Sequence, residues 1–202
     1  MKTKETESRD AKNRFVVLLT PGYSAMTFSM AMETLRVANR MAGCEIFHTV
    51  VCAEGGVPVR DSLGAQFPID HGLEDVTRDD TIVICSGADV RAACAPAVLN
   101  WLRKGARQGA ALAGLSTGGW VMAEAGLMDG LPVTLHWEQR TSFAEKFPEV
   151  ELSEYTYVYQ NRRYSTAGGT SVIDLMLHLI TEAESPELAN LVADQLMYTN
   201  IR

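Results

Sequence analysis

The sequence predicts an α/β three-layer domain around a mostly parallel central sheet, and three observations point there. Four short, continuous apolar runs, at 15–19, 46–52, 81–85 and 110–114, suit strands buried on both faces. Helical spacing follows the first, third and fourth of them, the succession expected of a doubly wound sheet. Between the fourth run and its helix stands Gly114-Leu115-Ser116-Thr117-Gly118, a G-x-S-x-G turn whose small residues permit the cramped bend that exposes a serine above a sheet.

Taken in order, Phe15-Val16-Val17-Leu18-Leu19 is stopped by Pro21-Gly22, and a helical pattern covers 28–41. The run at 46–52 opens at Gly55-Gly56 into a turn-rich excursion, in which 57–59 and 66–69 are predicted to form a short hairpin. The third run reaches Ser86-Gly87-Ala88, after which Val98, Trp101 and Leu102 give helical spacing over 97–107. The fourth passes through the serine turn into a helix at 119–125. Beyond Gly130 the pattern is mixed: a short strand at 132–134, a helix over 138–147, an alternating strand at 155–159, and Arg163-Tyr164-Ser165-Thr166 as its hairpin partner. Gly168-Gly169 precedes a helix over 170–184, and Ser185-Pro186 supplies the cap and first-turn proline of a last helix ending near Tyr198.

A chain of 202 residues suits one such domain, which buries roughly 70% of the surface its extended form exposes. The formal charge of −7, from 25 acidic and 18 basic residues, sets the average field against DNA, RNA and anionic membranes. Cys44, Cys52, Cys85 and Cys94 form neither a C-x-x-C pair nor a zinc-like spacing and are read as buried and reduced; no metal or other cofactor is assigned. Residues 1–13 are polar, lack a signal-peptide core and are expected to be disordered. No stretch approaches about 18 consecutive apolar residues, so no transmembrane helix is expected and the cytoplasm is the expected location.

Ser116 is the centre of the candidate site. Backbone N–H groups at Thr117 and near Gly87, at the ends of neighbouring strands, can converge on an oxygen or a carboxylate. A serine hydroxyl is a poor nucleophile without a base, and His136 is the best base available. Glu138 shares a face with His136 on a strand but diverges from it on a helix, and the order Ser, His, Glu departs from the usual hydrolase order of Ser, acid, His. A pocket histidine and a satisfied core histidine compete with the catalytic reading. Glu33, among Met32, Thr34 and Leu35, either reaches the solvent face of its helix or enters the pocket as a proton carrier or cation-binding carboxylate. Trp120 and Trp137 flank the site and offer apolar walls to a small ligand, a cation included, whereas Trp101 reads as structural. Met26, Met30, Met32 and Met41 read as core filling, His48 and His178 as packing or surface residues, and Asp174 as either a network member or outward-facing. His71 builds no metal site with the other histidines.

Phe28-Ser29-Met30-Ala31-Met32-Glu33, the turn through Ser116, and Ala123-Glu124-Ala125-Gly126-Leu127-Met128-Asp129-Gly130 followed by Thr134-Leu135-His136-Trp137 together resemble one family. They are similar to the DJ-1/PfpI-like sensing domain, of class I glutamine amidotransferase type, in AraC-family transcription regulators. The run from Ser165 to Asp174 extends the resemblance, which spans about Arg14 to Tyr198. It implies the family's three-layer flavodoxin-like sandwich, a homodimer, and a role in sensing a small nitrogen-containing metabolite such as an amino acid or quaternary amine. The ligand-binding candidates are Glu33, Gly87, Ser116, Thr117, Trp120, His136 and Trp137, with Glu33 pairing a cationic end and the backbone amides a carboxylate. The family pattern often has cysteine where this chain has Ser116, and losing the easily ionised thiol weakens amidase, protease and glyoxalase assignments together. A small serine-dependent hydrolase using Ser116 and His136 is the alternative. Relatives carry a helix-turn-helix region after this domain; the chain stops at Arg202 without one, so DNA binding is expected of a longer protein rather than of these residues.

Overall fold

The computed structural model describes residues 13–198, so the stretch expected to be disordered falls, Asn13 excepted, outside the described residues. The strands are β1 (Arg14–Leu19), β2 (His48–Cys52), β3 (Asp80–Cys85), β4 (Ala111–Leu115), β5 (Pro132–Val133), β6 (Glu151–Leu152), β7 (Tyr157–Gln160) and β8 (Arg163–Thr166). Six of them form one sheet in the order β2-β1-β3-β4-β8-β7, parallel except for β7, and β5 pairs with β6 as a separate small sheet. The four apolar runs of the sequence are therefore neighbours in one sheet, as expected.

Pleat alternation sends Phe15, Val17 and Leu19 into one core and Val16 and Leu18 into another. The first core is closed by α1 (Ala25–Ala42), α6 (Ser171–Ala183) and α7 (Pro186–Gln195). The second is closed by α2 (Val90–Ala93), α3 (Pro96–Arg107), α4 (Gly118–Glu124) and α5 (Arg140–Lys146). Local chemistry sets the helix ends. Ser24 and Ser185 accept from Thr27 N–H and Leu188 N–H as N-caps, and α1 stops at Gly43, left-handed at φ 72°.

Two expected elements change and one is added. The segments at 57–59 and 66–69 make no hairpin; a single antiparallel bridge joins Arg60 to Gln66, while Asp61 accepts from Leu63 N–H and Ala65 N–H, a local turn that competes with a ladder. The helix over 138–147 is divided into a 3-10 turn at Trp137–Gln139 and α5. The short α2 was not foreseen; it is started by Asp89, whose carboxylate accepts from Arg91 N–H and Ala92 N–H. Met30, Met32 and Met41 pack against the first core, but Met26 is exposed. Asp174 is buried and accepts from Tyr198 Oη at 2.9 Å, so it joins a network. Among the described residues no helix is long and apolar enough to cross a membrane.

The cysteines also divide. Cys52 and Cys85 are buried, Cys94 is partly buried and Cys44 is exposed, which corrects the reading of all four as buried. Burial raises the Cys52 thiol to about 12 and Cys94 to about 11, and pushes Cys85 higher still. A thiol reagent at mildly alkaline pH is expected to label Cys44 at once, Cys94 slowly, and Cys52 and Cys85 only on unfolding, because the thiolate is the reactive form. Timed labelling of the wild type and Cys44→Ser checks this; a fast phase that survives the substitution would contradict it.

Candidate functional site

β2 and β3 lie on opposite sides of β1, so the carboxyl ends of β1 and β3 flank a topological switch point, where doubly wound sheets open a crevice. The turn after β4 lies beside it. There Ser116 has φ 60°, rare for a residue with a Cβ and worth roughly 1–2 kcal/mol of strain. The flanking glycines explain how the turn closes. A Cβ on Gly114 would stand 2.5 Å from Gly118 C and Gly119 N, and one on Gly118 would stand 2.6 Å from the Ile84 carbonyl oxygen. Backbone lies against backbone on both sides of the serine, as a nucleophile elbow requires.

The loop after β8 presses on Ser116 from outside. A Cβ on Gly168 would lie 3.0 Å from Ser116 Cβ and 3.1 Å from its Oγ, and the serine is only 7% exposed. Beneath, the buried Thr117 Oγ1 donates to the Gly87 carbonyl at 2.6 Å. A hydroxyl has one proton, so Ser86 Oγ, 2.8 Å away, is the donor to Thr117. Gly87 in turn meets the loop after β1, where its missing Cβ would be 1.8 Å from the Gly22 carbonyl oxygen. Among the described residues, neither Gly87 N–H nor Thr117 N–H has a backbone acceptor, which leaves two donors at adjacent strand ends.

His136 is tied to the elbow by its backbone: its N–H donates to the Ser116 carbonyl at 3.4 Å. Its ring makes no hydrogen bond to Ser116 Oγ. Instead Nδ1 faces Glu138 Oε2 at 3.6 Å, and the ring tilts over Trp137 with centroids 5.9 Å apart. Nucleophile and base normally stand about 2.6–3.2 Å apart, so these side chains form no assembled triad. Trp137, 71% exposed, stands at the rim.

The other two candidates lie elsewhere. The Trp120 ring is buried in the second core, edge-on to Phe143 at 5.5 Å and Phe147 at 5.7 Å, with Lys146 Nζ 5.8 Å from its centroid. Glu33 takes the solvent face of α1, its carboxylate accepting from Arg36 Nη2 at 2.6 Å and Nε at 2.7 Å. That hydrogen bonding holds its carboxyl below the usual range. The structure thus groups Gly87, Ser116, Thr117 and His136, with Trp137 beside them. It adds Ser86 and Gly168, which sequence reasoning did not single out for the site. Paired glycines after a strand were the available signal for Gly168, but using it requires knowing that β8 lies next to β4.

Comparison with known proteins follows the same outline. The sequence pattern of the DJ-1/PfpI family matches residues 13–182. The chain is 42% identical over 188 residues to the HTH-type transcriptional regulator CdhR of Pseudomonas aeruginosa, covering 93% of this chain and 56% of that protein. It is 31% identical over 185 residues to the HTH-type transcriptional regulator GbdR of the same species, covering 92% and 50%. The chain therefore spans about half the length of these regulators. Among solved structures, an AraC family transcriptional regulator from Pseudomonas putida superimposes with a TM-score of 0.80 at 26% identity, covering 91% of this chain and 99% of that one.

Proposed function

The chain belongs to the DJ-1/PfpI family, and from that premise we propose that it is the ligand-sensing domain of a DNA-binding transcription regulator, responding to a small nitrogen-containing metabolite. The observation that carries the proposal is the condition of Ser116: it occupies an elbow but has no base on its hydroxyl, and the Gly168 loop covers it. Such parts hold a ligand better than they turn one over. The N–H groups of Gly87 and Thr117 suit a carboxylate. With the Glu33 carboxylate engaged by Arg36, the cationic end falls to Trp137 and Glu138, an exposed aromatic face beside an exposed carboxylate. The similarity to CdhR and GbdR supports the regulatory role. In that role the domain acts in the cytoplasm as a homodimer, and a C-terminal helix-turn-helix region of the longer protein contacts DNA.

Isothermal titration across amino acids, betaines and related amines tests the proposal. One of these is expected to bind, and Trp137→Ala to weaken it roughly tenfold, the scale of a partly desolvated cation–π contact. Loss of binding in Glu33→Gln instead would return the cationic end to Glu33. Ser116→Ala is expected to shift affinity without removing a reaction. Reproducible ester or amide turnover that disappears in that variant would make the chain a serine hydrolase and overturn the sensing role.

A further inference from the structure

The domain has two buried tryptophans, and they differ in one hydrogen bond. Trp101 gives its indole N–H to the Glu74 carbonyl. Trp120 is only 6% exposed, yet among the described residues its indole N–H has no acceptor. The described side-chain nitrogens and oxygens that are both sealed from solvent and unpartnered are Arg14 Nε and His178 Nε2, so Trp120 Nε1 reaches open space. A buried indole N–H normally finds a partner, because stranding a donor costs more than the net worth of the bond it would make.

Trp120 lines a cavity of about 360 Å³ between three helices on the second-core side of the sheet. Val90, Arg91 and Cys94 come from α2 and its end, Trp120 and Glu124 from α4, and Lys146 from α5. The cavity is separate from the elbow, since Gly87, Ser116 and His136 do not line it.

The charges around it do not balance. Lys146 Nζ donates to Glu124 Oε2 and lies over the Trp120 and Phe147 rings, 5.8 and 5.3 Å from their centroids. That ammonium already holds the position over the indole that a cationic ligand would take. Arg91 is left over: Asp89 takes its backbone N–H, but its guanidinium forms no ion pair or hydrogen bond among the described residues. One net positive charge and one open N–H thus border a space walled by Val90, Cys94 and the indole. A monoanion satisfies both, whereas a dianion brings surplus charge beside Glu124. We infer that this cavity is a second ligand site, for a small organic carboxylate: a carboxylate oxygen accepts from Trp120 Nε1, Arg91 pairs the charge, and an apolar body packs against Val90 and Cys94. The site does not depend on the elbow holding a ligand, so the sensing proposal stands or falls separately.

Acetate, butyrate and phenylacetate probe the site at increasing size, with phenylacetamide as the neutral counterpart and phenyl phosphate as the dianion. The chain has three tryptophans and so three indole N–H signals in a proton–nitrogen correlation spectrum; the one lost in Trp120→Phe is the reporter. At least one of the carboxylates is expected to shift that signal saturably at millimolar concentration and to slow thiol labelling of Cys94 in a Cys44→Ser background. Phenylacetate is expected to bind about tenfold more tightly than phenylacetamide, and Arg91→Gln, a change at an exposed side chain, to weaken it roughly tenfold, the scale of one hydrogen bond to a charged group. Arg91 lies outside the elbow, so its effect distinguishes this site from the carboxylate position assigned to Gly87 and Thr117. A Trp120 signal unmoved by all three carboxylates, equal binding of phenylacetamide, tighter binding of phenyl phosphate, or unchanged affinity in a folded Arg91→Gln variant would each overturn the inference.

Discussion

Gly87→Ala is expected to cost about 4 kcal/mol, beyond the usual overpacking range because the new Cβ, fixed by its own backbone, meets another main chain. At roughly 2–4 °C per kcal/mol for a chain of this size, the melting temperature falls by about 10 °C. The methyl group would lie 1.8 Å from the Gly22 carbonyl oxygen and 2.7 Å from its carbon, and no rotamer relieves contact between main chains. The loops after β1 and β3 must then part, carrying with them the Gly87 carbonyl that receives Thr117 Oγ1. Gly22→Ala is the control: nothing lies within 4 Å of its new methyl, but φ is 72°, so about 1–2 kcal/mol of backbone strain is expected. Equal melting temperatures for the two variants would show that the contact is not fixed.

That collision marks where sequence reasoning stops. Gly114 was legible because the turn itself folds Gly118 and Gly119 back against it, as G-x-S-x-G implies, whereas Gly118 meets the Ile84 carbonyl only once β3 lies beside β4. Gly87 touches Gly22 and Gly168 touches Ser116 only after strand order has been set, across separations that no local pattern encodes. The strands at 15–19 and 81–85 were readable because parallel strands buried on both faces are continuously apolar. Trp120 was misplaced by nearness in sequence. It follows the elbow by one turn of α4, yet that helix points its ring toward Phe143 and Phe147, which only the tertiary fold delivers. For Glu33 the local signal did exist: Arg36 stands three residues on, the spacing of a helical ion pair.

Thr117→Val should reveal whether the base of the elbow acts as one hydrogen-bonded unit. Valine keeps the shape of threonine but leaves the Gly87 carbonyl without its donor and the Ser86 hydroxyl without its acceptor, where Ser86 is 0% and Thr117 2% exposed. Each stranded buried group costs about 1–3 kcal/mol, so a loss of roughly 3 kcal/mol in urea unfolding is expected. Thr117→Ser retains the hydroxyl and should lose no more than about 1 kcal/mol, the value of one or two methyl contacts. Removing the Ser86 hydroxyl first takes away one of the two groups that valine would strand. Ser86→Ala combined with Thr117→Val should therefore cost about 1 kcal/mol less than the sum of the single changes, a coupling typical of residues that share a hydrogen bond. Strict additivity would mean that Ser86 does not donate to Thr117 and that the two hydroxyls pack without sharing a proton. Ligand titration of the same variants separates stability from sensing. Because Gly87 and Thr117 also present the N–H groups assigned to the carboxylate, Thr117→Val should weaken binding even where it remains folded, while Thr117→Ser should preserve it.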